Sequence, residues 1–139
     1  MKTPLLAVGL LAGLLALPSA AADRMPLAEV QPGMVGVGVT VFHGATREEF
    51  TAHVIGVLHN INGPQRSLIL ARLEGGPLAR TGVIQGMSGS PVYVDGRLIG
   101  AVSYALGAFP TEAIAGITPI DEMIDAVARP ASRPPLPEV

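Results

Sequence analysis

The sequence predicts an all-β domain that ends in a single helix, and three stretches predict it. Between Met34 and Phe42, Val35, Val37, Val39 and Val41 alternate with Gly36, Gly38 and Thr40, the two-residue period of a strand. From Pro91 to Tyr104, two apolar runs flank Asp95-Gly96, a pair that favours a two-residue hairpin turn. After Pro119, which suits a first helical position, Ile120, Met123, Ile124 and Val127 share one helical face. A helix is therefore expected from Pro119 to Val127, capped by Thr118 with Asp121 at the capping-box position, its apolar side in the core.

At the start of the chain, Lys2, the apolar run Pro4–Leu17 and the small residues Ala20-Ala21-Ala22 read as a secretory signal peptide over residues 1–22, with an uncleaved anchor as the alternative. Its removal leaves 117 of the 139 residues, with no stable membrane insertion expected after cleavage and a secreted or periplasmic location. Asp23 to Gln31 is polar and expected to be loosely held, and Pro32-Gly33 turns the chain into the first strand. That strand has side chains on one face and glycines on the other, a pattern of coiled barrel strands and close backbone approach.

Phe50–Leu58 reads as a second strand with His53, Ile55, Val57 and His59 on one face. Ser67–Leu73 is a third, ended by Gly75-Gly76-Pro77, and Ala113–Ile117 is the last before the helix. The domain thus spans residues 23–129, and the Pro-rich residues 130–139 form a tail or linker.

Composition narrows the function. A chain with 49% apolar residues and a net charge of −2 is one small domain with no basic surplus, so no nucleic-acid partner is expected. It has no cysteine, which excludes disulfides and thiolate metal sites, and its three histidines show no metal-binding spacing. No metal or cofactor is expected, and the oligomeric state is left open.

The chemistry centres on Gly86-Met87-Ser88-Gly89-Ser90-Pro91. Glycines around a serine allow a tight turn that presents the hydroxyl, and the N–H groups of Gly86 and Ser88 are placed to hold an oxyanion. The same letters also suit a plain turn between strands. They do not form the Gly-x-Ser-x-Gly elbow of α/β-hydrolases, because Ser90 stands at the last glycine.

Beyond this turn the chain resembles the C-terminal half of a trypsin-like barrel: Pro91, the hairpin to Ser103-Tyr104, Gly116-Ile117-Thr118, then the helix. More narrowly, Gly82-Val83-Ile84-Gln85-Gly86-Met87-Ser88-Gly89-Ser90-Pro91 with Gly96-Arg97-Leu98-Ile99-Gly100-Ala101-Val102 is similar to the SpoIVB-type serine peptidases, a trypsin-like family. The resemblance is strong over residues 82–123. It implies a shortened trypsin-like β-barrel with a C-terminal helix, and a serine protease, a hydrolase of peptide bonds in protein or peptide substrates.

The resemblance also implies site residues. Ser88 is the nucleophile, His53 the base through the His53-Val54-Ile55 match, and Glu74 the orienting acid where the family has aspartate. His43 and His59 are lesser candidates for the base. Ser103, Tyr104, Ala105 and Gly116 would line the pocket for the residue before the scissile bond, which makes that residue uncharged.

Trypsin-like sites lie between two barrels, and residues 23–85 are short for a first barrel plus the start of a second. The outcomes left open are a minimal protease, an inactive relative that binds peptide or protein in the cell envelope, or the front of a longer protein.

Overall fold

The bare face of the first strand is the inner one. In the computed structural model, which describes residues 23–61, 63–107 and 112–129, β1 (Val35–Thr40) turns Gly36, Gly38 and Thr40 inward and its valines outward. Phe50 on the facing strand explains why. Gly38 and Phe50 are register partners, and a Cβ on Gly38 would lie 2.0 Å from the Phe50 ring, so the ring occupies the space a side chain would need. The expected leader (1–22) and tail (130–139) lie outside the described residues.

Five more strands complete the wall: β2 (Glu48–Leu58), β3 (Leu68–Glu74), β4 (Pro91–Val94), β5 (Arg97–Leu106) and β6 (Ile114–Pro119). They pair antiparallel in the order β1-β2-β3-β6-β5-β4, and β4 closes back on β1. This is the shortened trypsin-like barrel, a single closed one, with helix α2 (Ile120–Ala128) at its C-terminal end. Closure leaves no free edge along the paired length. The interior is filled by Phe50, Ile69, Leu73, Val92, Ile99 and Ile117 among others. Asp95 (φ 50°) and Gly96 (φ 74°) make the expected hairpin turn between β4 and β5.

Four local expectations are corrected. Residues 23–31 are not loose: Met25 and Val30 are buried, and the segment bonds to β5 through Met25 N–H to the Leu98 carbonyl and Leu98 N–H to the Asp23 carbonyl. Polar composition hid two apolar anchors. Arg97 pairs with Glu29 and fastens the same strap; hydrogen bonding to Glu29 raises the Arg97 pKa above its ordinary value. Met25→Ala is expected to cost about 2–4 kcal/mol, read as a lower urea midpoint; an unchanged midpoint would show that the strap contributes nothing.

The face shared by His53, Ile55, Val57 and His59 is broken by a bulge between Val54 and Gly56. Past that extra residue the alternation resets, so His53 points out of the wall whereas Val57 packs against the core. Thr118 does not cap the helix: it belongs to β6, its hydroxyl lies 2.6 Å from Ser103 Oγ, and Pro119 stands at the N-cap. The Asp121 carboxylate accepts from Leu27 N–H on the N-terminal strap. Finally, α2 buries none of its residues, and Met123, Ile124 and Val127 are exposed. The barrel interior is already full, so the helix lies on the outside.

Candidate active site

Between the third and fourth strands the chain forms the short helix α1 (Leu78–Thr81) and then the serine turn. The turn is pinned on both sides of Ser88. Met87 is fully buried in the core, and Ser90 Oγ donates to Thr40 Oγ1 at 2.8 Å inside the barrel. Gly89 N–H donates to the Val102 carbonyl (2.7 Å), and Val102 N–H donates to the Ser90 carbonyl (2.9 Å). Alternation then drives Ser88 outward: it is exposed, and its hydroxyl makes one long contact, 3.4 Å, to the Ser103 carbonyl.

The backbone around Ser88 has unspent donors. Met87, Gly89 and Ser90 donate their N–H groups to Ile84, Val102 and Met87, whereas those of Gly86 and Ser88 have no acceptor among the described residues. Gly86 has φ +97°, a conformation that favours glycine.

Beside the serine is a cavity of about 220 Å³ lined by Val83, Ile84, Gln85, Gly86, Ser88, Val102, Ser103, Tyr104 and Ala105. No lining residue is charged. Ser103 and Tyr104 are among its lining residues and Gly116 is not: it is buried, and a Cβ on it would lie 2.8 Å from the Leu68 side chain. Sequence reasoning places Val83, Ile84 and Gln85 in the motif but not in the pocket; their position directly before Gly86 is the signal that could have found them there.

The other two expected members stand together, but elsewhere. His53 on β2 and Glu74 on β3 are diagonal neighbours on the outer wall, with Nε2 3.2 Å from Glu74 Oε2. The contact lacks hydrogen-bond geometry, since Nε2 has no hydrogen-bond partner. Arg72 shares the carboxylate, with Nε 3.3 Å from Oε1. In a Ser-His-acid triad the acid faces Nδ1 and Nε2 faces the serine; here the acid faces Nε2.

Strand registers give the separation from Ser88. Val102, one residue before Ser103, pairs with Ile117, Ile117 with Ile69, and Ile69 with Val57, which is four residues from His53. That is roughly 14 Å around the wall and roughly 13 Å along it. On the other side, Thr40, the partner of Ser90, pairs with Glu48, five residues from His53. One barrel therefore keeps Ser88 and the His53–Glu74 pair apart. His43 and His59 are exposed.

A family model described as SpoIVB peptidase S55 matches residues 20–124, from before the strap into α2. The chain belongs to the SpoIVB peptidase family. No curated protein and no solved structure matches it. This SpoIVB-like serine peptidase domain carries its motif, Gly86 to Pro91, between the third and fourth strands of a closed barrel. Among the described residues, no group of three or more His, Asp or Glu is placed to hold a metal, and no helix is long and apolar enough to cross a membrane.

Proposed function

We propose that this domain is the serine-bearing part of an endopeptidase that works outside the cytoplasm, after loss of the leader at residues 1–22. The observation that carries the reading is the pair of unspent amides, Gly86 and Ser88, beside an open strand segment. Past Val102, β5 pairs with β6 on one side, and on the other no described strand reaches residues 103–106. An extended peptide fits there as an added antiparallel strand. Its scissile carbonyl would point at the two amides, and the side chain before it would enter the uncharged cavity. Ser88 Oγ would then attack the carbonyl carbon while a base takes its proton; the C–N bond breaks as the amine leaves with that proton, and water releases the acyl group from Ser88 in a second step.

A second reading is favoured by the separation of His53 from Ser88: a module that binds peptide without cleaving it. Peptide cleavage abolished by Ser88→Ala supports the first reading, and peptide binding by the wild type with no cleavage supports the second. Gly86→Ala tests the oxyanion pair. Nothing lies within 4 Å of the new Cβ, but the positive φ is strained for alanine. The peptide unit is expected to rotate and withdraw a donor, lowering the rate of peptide cleavage about 10²–10³-fold for a stability loss of about 1–3 kcal/mol. Cleavage at the wild-type rate would remove the Gly86 amide from the mechanism.

A further inference from the structure

The open segment of β5 is blocked at one end. On the side away from β6, β4 pairs with β5 as far as Ala101, and the serine turn takes Val102, through Gly89 N–H to the Val102 carbonyl and Val102 N–H to the Ser90 carbonyl. From Ser103, whose carbonyl contacts Ser88 Oγ, the segment leads away to Leu106 with no described strand on that side. A peptide added antiparallel therefore travels from Leu106 toward Ser103 and meets the turn with its C-terminal end leading. Its strand pairing stops there, because the turn occupies the next stretch of edge.

The turn carries what a chain end needs. Gly86 and Ser88 both line the cavity, and together they offer three donors: two N–H groups without an acceptor among the described residues, and a hydroxyl whose one contact is long. The carbonyl of an internal peptide bond brings a single oxygen with two lone pairs. A carboxylate brings two oxygens and a charge, and so satisfies all three donors with stronger bonds. No lining residue is acidic, so the anion meets no like charge in the cavity. The geometry points to recognition of a free peptide C-terminus, with its carboxylate on the Gly86 and Ser88 amides and the Ser88 hydroxyl, its last side chain in the uncharged cavity, and the preceding residues paired along 103–106. The inference rests on the peptide cleft of the reading above and on no step of cleavage.

The test uses the full chain and two fluorescein-labelled peptides of four alanines and a terminal leucine, one ending in a carboxylate and one in a carboxamide. Binding is read by anisotropy, and mass spectrometry checks that both peptides stay intact. The acid is expected to bind about tenfold tighter than the amide, or more. In Ser88→Ala, which removes one donor at an exposed position, that preference is expected to shrink at least about threefold. Equal affinities in the wild type would overturn the inference and keep the cleft, as a site for internal segments. A preference unchanged in Ser88→Ala would put the carboxylate elsewhere and overturn it too. If neither peptide binds, the inference falls, and a longer peptide continuing past the leucine decides the parent reading: bound or cleaved, the cleft stands, and otherwise it falls as well.

Discussion

Gly100→Ala is expected to destabilise the barrel by more than about 3 kcal/mol, beyond the usual range for one methyl group. Gly100 lies in β5 opposite Pro119 and Val92, and a Cβ there would sit 2.0 Å from the Thr118 carbonyl oxygen and 3.0 Å from Ile117 Cγ2. A side chain in the way can change rotamer, but this obstacle is backbone in the neighbouring strand. Relief requires parting β5 from β6, and with them Ser103 from its contacts with Thr118 and Gly116. Gly96→Ala is the control: its φ is +74° but nothing lies within 4 Å, so it is expected to cost about 1–2 kcal/mol. Urea midpoints of the two variants decide the matter. Equal midpoints would mean that the two strands can separate at little cost.

Met87→Ala is expected to lose about 2–5 kcal/mol and to loosen the serine turn as well. Met87 is fully buried directly before Ser88, so truncation leaves a void under the segment that aims the hydroxyl and the two amides. Ile69→Ala, fully buried in β3, is expected to cost a comparable amount without touching the turn. With both variants kept where they are folded, binding of an extended peptide should weaken tenfold or more in Met87→Ala alone. If both bind as tightly as the wild type, the core does not hold the cleft in shape.

Much of the strand content was legible because period and turn chemistry are local. The alternation in β1, the Asp95-Gly96 turn and the Gly-rich serine turn each depend on residues within a few positions of one another. What failed depended on neighbours distant in sequence. Nothing near Gly38 tells that Phe50 fills its inner side, nothing near Met25 tells that β5 receives it, and the exposed face of α2 follows from a core filled by other elements. The bulge at Val54–Gly56 likewise reverses the facing of residues beyond it without a distinct mark in the sequence.

The candidate site divides along the same line. By itself the sequence determined the all-β class, the serine turn with its glycine-dependent backbone, and the family. Only the tertiary structure decided that six strands close into one barrel, that Gly116 is buried under the Leu68 side chain, and that His53 and Glu74 meet on the outer wall away from Ser88. A turn is fixed by the φ and ψ angles that its own residues allow. The distance between a base and a nucleophile is fixed by strand order and register, which arise from pairings across the whole chain.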